Sequence, residues 1–364
     1  MKRCKRCIMP DTVPGIIFNE EGICNFCLNY KEAEYRGKEE LDRLIALIKD
    51  RNGRYDCIVP LSGGRDSSFV LYYAKRQYNL KILAVNYDNN FRAEQALVNM
   101  NNACNRLNVD FLEVGSGSDV VRKIVRNEIK FVLPRGLFAI AEILCSACAY
   151  GYRSAVYKTA EQFKVPLIIW GSSHVESTQD TIMKAYERVH REVIGTRGGS
   201  KFRNLLSPSY YKLQFYHLMQ RIAMHAPGSS ILSEAAPVLA NKNIQEISLF
   251  DYIPWNRKQI KETITRELGW EKPPDHISSW RTDCHLPPLI TYCLTNTVGC
   301  SKACFGYCNM INSDQMTREE ALRQEEAAAS DFTEELRGLL EDKIGLSKKD
   351  VAVIRSYRKS TVKS

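Results

Sequence analysis

Between residues 57 and 170 the sequence alternates short apolar runs with stretches of helical period, and this alternation narrows the choice of fold more than any other feature. Cys57-Ile58-Val59 is followed by a glycine turn, a helical stretch over Ser67–Arg76 and the apolar run Ile82-Leu83-Ala84-Val85. A helix at about 92–107, a strand at Val109–Val114, helices within 119–163 and the run Leu167-Ile168-Ile169-Trp170 continue the pattern. Strands joined by helices pair in parallel, because each connection must recross the sheet, and they need helices on both faces. The spacing therefore predicts an α/β fold with a doubly wound parallel sheet and puts any ligand beyond the carboxyl ends of the strands. Ahead of the sheet, Lys38–Lys49 carries Leu41, Leu44, Ile45 and Ile48 on one helical face. After it, Ile247-Ser248-Leu249-Phe250 reads as a last strand and 256–268 as a helix closed by Gly269.

A length of 364 residues is enough for about two domains. The pattern divides it into a cysteine-rich segment at 1–35, the α/β domain at 36–270 and a mostly helical region at 271–364, where Thr317-Arg318-Glu319-Glu320 has the spacing of a capping box. With 44% apolar and 26% charged residues, a fibrous or mainly disordered chain is excluded. The net charge of +9 suits a polyanionic ligand such as a nucleotide and does not call for nucleic acid. Met1-Lys2-Arg3-Cys4-Lys5-Arg6-Cys7 leads into Ile8-Met9-Pro10-Asp11 with no apolar signal core, and Gly136–Tyr150 is too short to span a bilayer. The expected location is the cytoplasm, away from the membrane. There the 13 cysteines are expected as thiols, and their paired spacings point to metal or catalysis.

The strongest motif is Leu61-Ser62-Gly63-Gly64-Arg65-Asp66-Ser67-Ser68, between a strand and a helix. Two glycines let backbone N–H groups approach phosphate oxygens, the hydroxyls add donors, and the helix N-terminus adds its positive end. A carboxylate among phosphates repels them unless a divalent cation lies between, so Asp66 argues for Mg²⁺. The Gly-Lys-Ser/Thr ending of a Walker A loop is absent. Ser-Gly-Gly-x-Asp-Ser-Ser resembles the PP-loop of the ATP pyrophosphatase superfamily, whose members cleave ATP to AMP and pyrophosphate while adenylating a carbonyl oxygen. That resemblance, over roughly residues 55–265, implies that Ser62, Gly63, Gly64, Asp66, Ser67 and Ser68 hold the pyrophosphate end of ATP. It also places Asn86, at the end of the second strand, beside adenine. Gly171-Ser172-Ser173-His174 stands where the superfamily often has Gly-His-x-x-Asp-Asp, and departs from it at the first His and the paired Asp. The resemblance assigns cofactor contact to Gly171 and catalytic work to Asp66, Ser67 and His174; a core histidine satisfied by its neighbours is the other reading of His174.

Cys4-x-x-Cys7 and Cys24-x-x-Cys27 have the spacing of a zinc ribbon, in which four thiolates staple a segment too short for a core of its own. The residues around them, Cys4-Lys5-Arg6-Cys7-Ile8-Met9-Pro10-Asp11-Thr12-Val13-Pro14-Gly15 and Gly22-Ile23-Cys24-Asn25-Phe26-Cys27, resemble the amino terminus of bacterial N-acetyl sugar amidotransferases. Those enzymes convert an acetamido group on a nucleotide-linked or free surface sugar into an acetamidino group, with ammonia from a separate glutaminase. No glutaminase nucleophile motif is visible in the chain, so the resemblance implies such a partner, or free ammonia.

Cys145-Ser146-Ala147-Cys148 resembles an element of the iron–sulfur-dependent tRNA thiolases of the same superfamily, in which a helical Cys-x-x-Cys and a distant third cysteine hold a [4Fe–4S] cluster. Cluster, metal and plain packing stay open for Cys145 and Cys148. Further cysteines follow at 284, 293, 300, 304 and 308, and Cys300, Cys304 and Cys308 are expected on one helical face. Asp180 is a second candidate carboxylate, and Trp280-Arg281-Thr282-Asp283-Cys284-His285 a candidate pocket wall or a turn. Lys184, Arg188, Arg191, Arg197, Lys201 and Arg203 form a candidate diphosphate clamp or a solvated face, with a mobile segment expected near 193–203.

Overall fold

Each apolar run becomes a strand of one sheet in the computed structural model, which describes residues 1–49, 53–115, 119–175, 244–273, 282–328 and 331–357. The strands β1 (Cys57–Pro60), β2 (Ile82–Asp88), β3 (Asp110–Gly115), β4 (Leu167–Trp170) and β5 (Gln245–Ser248) lie in the order β3-β2-β1-β4-β5, all parallel. Cys57 pairs with Ile82 on one side and Leu167 on the other, so β1 is central. The chain winds outward from β1 to β3 and then crosses back to β4 and β5. That reversal opens a crevice beyond the carboxyl ends of β1 and β4.

The helices in chain order are α1 (Asn25–Leu28), α2 (Lys38–Ile48), α3 (Arg65–Tyr78), α4 (Glu94–Leu107), α5 (Val120–Val132), α6 (Leu137–Ile143), α7 (Ser146–Phe163) and α8 (Arg257–Leu268). Strand alternation sorts the side chains between two layers. Cys57, Val59, Ala84, Leu167 and Ile169 face a core that includes Val70 and Leu71 of α3, Met100 and Ala103 of α4, and Ile260 and Ile264 of α8. Ile58, Leu83, Val85 and Ile168 face Val156, Tyr157 and Ala160 of α7. Each fully buried Val, Leu or Ile here contributes about 1.5–3 kcal/mol. Asn79, Asn108 and Gly269, left-handed residues with little or no Cβ penalty, end α3, α4 and α8.

A helical region follows the sheet: α9 (Pro287–Thr295), α10 (Ala303–Asn312), α11 (Arg318–Glu326), α12 (Glu334–Gly338), which runs into a π-helical turn at Leu339–Ile344, and α13 (Lys348–Ser356). It carries the amino-terminal segment. Arg318 donates to the carbonyls of Cys7 (2.9 Å) and Cys4 (3.3 Å), and the Thr12 hydroxyl donates to Val298 O at 2.6 Å. No described helix is long and apolar enough to cross a membrane.

Three boundaries differ from the sequence reading. Helix α3 starts at Arg65 rather than Ser67, with Gly64 as its N-cap. The last strand is Gln245–Ser248, and Leu249-Phe250 turn into a 3₁₀ helix. Cys300 precedes α10, because Ser301 is held back by the buried Glu325, whose carboxylate accepts from its hydroxyl at 2.7 Å. Thr317 does cap α11, accepting from the Glu320 amide at 3.1 Å. The Glu320 carboxylate, however, accepts from Arg257 at 3.1 Å instead of closing the box. Asp180, the six basic residues between 184 and 203, the segment 193–203, Trp280 and Arg281 lie outside the described residues.

Candidate functional site

The glycine loop leaves β1 at the centre of the crevice. The Leu61 amide still donates to Val85 O at 2.8 Å, and the chain then turns into α3. The turn is closed by its own hydroxyls: Ser62 Oγ and Ser67 Oγ are 3.1 Å apart, the Ser62 amide donates to Ser67 Oγ at 3.2 Å, and the Gly64 amide donates to Ser62 Oγ at 3.2 Å. Ser68 is fully buried, and its hydroxyl has no partner among the described residues. Gly63 has φ +76°, and a Cβ there would sit 2.2 Å from Ala96 O, so only glycine fits against α4. Its carbonyl is fixed from behind by Trp270 Nε1 (3.0 Å) and Asn99 Nδ2 (3.4 Å). The result is a rigid turn with half-buried Ser62 and Ser67 hydroxyls at the N-terminus of a 14-residue helix, an arrangement suited to phosphate oxygens.

Asp66 is held in a different way. Its carboxylate takes a forked pair from Arg65, Nε to Oδ1 at 2.8 Å and Nη2 to Oδ2 at 2.9 Å, and Trp255 Nε1 donates to Oδ1 at 3.1 Å. The buried Arg65 guanidinium in turn lies over the Trp255 ring, 4.8 Å from its centroid. Gly171 stands at the end of β4, where a Cβ would be 3.4 Å from the Asp66 main chain, so its missing side chain lets α3 approach the strand. His174 is half-exposed and lies 3.4 Å from Asp251 Oδ1. Asn86 spends both ends of its amide on structure: Nδ2 donates to Leu61 O at 2.7 Å, and Oδ1 accepts from Arg92 at 2.9 Å. Its side chain fixes the loop to β2 and Arg92.

Near the start of α7, Cys145 and Cys284 lie close enough to Cys148 to act on its thiol. Cys145 is the N-cap of α7 and Cys148 lies in its first turn. Asn89 Nδ2 reaches Cys148 Sγ at 3.6 Å. Two residues beyond Asn89, Phe91 O accepts from the His285 amide at 2.8 Å, and an antiparallel bridge joins Arg92 to Cys284. Burial first, and then the nearby Cys284 and Cys145, push the Cys148 thiol well above its ordinary range. A metal or cluster at these residues would take them as thiolates, so its binding would release their protons.

The amino-terminal thiols form the second centre. Cys4, Cys7, Cys24 and Cys27 are all buried, and their sulfurs lie within 4.8 Å of one another. Cys4 to Cys27 is 4.0 Å and Cys7 to Cys24 is 3.7 Å, close to the ~3.8 Å edge of a tetrahedron with 2.3 Å metal–sulfur bonds. The amides of Cys7, Met9 and Cys24 point at these sulfurs from 3.2 to 3.5 Å, as suits thiolates. Cys27 is further supported by Asn312 Nδ2 at 3.5 Å. Hydrogen bonds to Cys24 and then Cys27 hold the Cys4 thiol below its usual range. Cys308 approaches Cys7 from α10, and Cys304 links Cys308 to Cys300, all of them buried.

Spacing along the chain carried no signal for Trp255, Trp270 or Asn99, which reach the loop from distant elements, nor for Arg92, which holds Asn86. The Arg-Asp neighbours in the loop were the one visible hint that Asp66 is paired.

Comparison with known proteins follows these contacts. The family model described as "Queuosine biosynthesis protein QueC" matches residues 56–127, the part from β1 through the glycine loop to α5. This match supports the PP-loop ATP pyrophosphatase superfamily. An uncharacterized protein of Methanocaldococcus jannaschii is 32% identical over 115 residues, 30% of this chain and 41% of that protein, so the chain spans well under half of that relative's length. Among solved structures, the U34-tRNA thiolase NcsA from Methanococcus maripaludis with its [4Fe-4S] cluster is 14% identical. It covers 96% of this chain and 99% of its own at a TM-score of 0.35. The NH3-dependent NAD synthetase from Campylobacter jejuni is 16% identical and covers 53% of this chain and 96% of its own, at a TM-score of 0.27.

Proposed function

We propose that the protein is an ATP-dependent amidotransferase that cleaves ATP to AMP and pyrophosphate while activating the amide of an N-acetyl sugar. The observation that carries this reading is the glycine loop: a turn of paired serine hydroxyls at the N-terminus of α3, rooted at the switch point of the sheet. Ser62, Gly63, Gly64, Ser67 and Ser68 are assigned to the pyrophosphate end of ATP, and the end of β2 to adenine. The substrate's amide oxygen attacks the α-phosphorus, the bond from that phosphorus to the bridging oxygen breaks, and pyrophosphate leaves with the electron pair. Ammonia then attacks the amide carbon and AMP departs with the carbon–oxygen electrons; loss of a proton from nitrogen leaves the acetamidino group. Holding the reactants in line and neutralising the leaving group supply most of the rate. Mg²⁺, when bound, adds that neutralisation. Asp66, Ser67 and His174 are assigned to the reacting end of the nucleotide, with Gly171 beside it.

Nitrogen is preferred over sulfur because the resemblance to sugar amidotransferases extends over many positions of residues 1–30. The fit of four thiols to a tetrahedron supports a structural Zn²⁺ at Cys4, Cys7, Cys24 and Cys27. A nucleotide-linked or free N-acetyl sugar as substrate, a separate glutaminase as ammonia source and a cytoplasmic location complete the proposal.

A second reading, sulfur transfer by the same adenylation, is favoured by the approach of Cys284 to the Cys145–Cys148 pair. Those three residues would hold a [4Fe–4S] cluster, which supplies a soft site for sulfur beside the activated carbon. Incubation with Mg·ATP, candidate N-acetyl sugars and either ammonia or sulfide tests both readings. The amidotransferase reading expects ammonia-dependent pyrophosphate release and a product with O replaced by NH, undiminished in the Cys145→Ala/Cys148→Ala variant. A product with O replaced by S, lost in that variant, selects sulfur transfer. No pyrophosphate release with either nucleophile, for any candidate, leaves both readings without support.

A further inference from the structure

The Asp283 carboxylate faces the phosphate loop, and nothing on the loop neutralises it. An ideal Cβ on Gly64, the N-cap of α3, would meet Asp283 Oδ2 at 3.4 Å and Ser62 Oγ at 3.1 Å, so carboxylate and hydroxyl border the same narrow mouth. Asp283 is fixed there by its backbone. The Ala93 amide donates to its carbonyl at 3.0 Å, and the bridge between Arg92 and Cys284 continues the pairing. Among the described residues no cation pairs with its half-buried carboxylate. The loop's own carboxylate is in the opposite situation, since Asp66 is forked by Arg65 and capped by Trp255.

A triphosphate in this loop would therefore meet a negative charge at Asp283 that no cation among the described residues compensates. At an effective dielectric of about 20, such repulsion weakens binding roughly tenfold or more. A divalent cation reverses the sign, and Mg²⁺ is commonly bound by one or two carboxylates together with substrate phosphates. We infer that Asp283 supplies a carboxylate that takes the Mg²⁺ of bound Mg·ATP, while Asp66, besides its place at the reacting end, locks Arg65 and Trp255 against the loop. The inference rests on the reading of the loop as an ATP site and deepens it. It also makes tight ATP binding by the loop depend on the metal.

The test is equilibrium binding of ATP to the full chain, by calorimetry, in Mg²⁺ and in EDTA. The wild type is expected to bind Mg·ATP about tenfold or more tightly than metal-free ATP, the scale of one charge-assisted contact. In Asp283→Asn the ratio should fall toward one, and affinity for metal-free ATP should rise because the repulsion is gone. Asp283→Ser, which also removes the charge, should behave alike and provides a second variant should the first fail to fold. Mn²⁺·ATP bound to either variant should show, by electron paramagnetic resonance, the loss of the protein carboxylate from the Mn²⁺ coordination. A wild-type ratio in either folded variant overturns the inference while leaving the ATP site standing. Failure of the wild type to bind ATP under both conditions overturns the ATP site itself, and the inference with it.

Discussion

Replacing Gly63 with alanine tests whether the loop's shape is set by its contact with α4. The new Cβ would lie 2.2 Å from Ala96 O, 2.8 Å from Ala96 C and 2.9 Å from its Cα. These are backbone atoms of a packed helix, and the oxygen contact is more than about 1 Å short of van der Waals distance. Alanine at φ +76° adds a left-handed penalty of about 1–2 kcal/mol. Forcing the loop off α4 adds about 1–3 kcal/mol of overpacking, so the total is about 2–5 kcal/mol. Gly345 provides the control: its φ is +80°, but the nearest atom to its Cβ is the end of the Arg126 side chain at 3.4 Å. Gly345→Ala should cost only the backbone part, about 1–2 kcal/mol. Denaturant unfolding of both variants separates the two contributions, and calorimetric ATP titration reads the site. The expected result is a larger stability loss in Gly63→Ala than in Gly345→Ala, with ATP binding lost only in the former. Equal losses, with ATP bound as in the wild type, would refute the claim that α4 sets the loop.

Asp66→Asn removes the partner of a buried guanidinium and should cost about 3 kcal/mol in denaturant unfolding, alongside lost AMP formation; wild-type stability would contradict the fork. For the thiol centre, elemental analysis should find about one Zn²⁺ per chain, released by Cys24→Ser. Hydrogen exchange in that variant should rise in α10 and α11 as well as in residues 1–30, because Asn312 and Arg318 bind the knuckles directly; a rise confined to 1–30 would count against that bracing. Arg318→Ala, which loses two bonds to knuckle carbonyls, should keep the zinc but surrender it faster to a chelator, and an unchanged rate would show the bracing to be idle.

The sheet was legible because its signal is local. A run such as Leu167–Trp170 is apolar throughout since both faces are covered, and its ends appear in the structure as read. The loop was legible for the same reason, glycines and hydroxyls lying within eight residues. Signals failed where a distant group decides the outcome. Ile247-Ser248-Leu249-Phe250 looked like one strand, yet hydropathy cannot tell a buried strand from a buried turn, and the last two residues bend under the sheet edge. For Asn86, which the superfamily resemblance places beside adenine, nothing in the sequence signals that its amide also bonds Leu61 O and Arg92. Two of the partners that hold Gly63 and Asp66, Trp270 and Trp255, lie some two hundred residues along the chain, and no period connects them.

Those distant partners share an origin. A doubly wound sheet leaves its crevice open at the strand ends, and the strands themselves supply only one wall. Here the other wall comes from the chain after β5. Trp255 donates to Asp66, Trp270 to the Gly63 carbonyl, Asp283 faces Gly64, and Cys284 is bridged to the loop that carries Asn89 toward Cys148. Each of the four anchors meets a different part of the site, and none lies in the strand-rich part between 57 and 170. Matching over 56–127 therefore recognises the phosphate turn while missing the residues that hold it in place and border it. Asp283 and Cys284 stand next to each other in the chain after β5, the first facing Gly64 of the turn and the second near Cys148, so this one dipeptide borders both the glycine turn and the thiol pair.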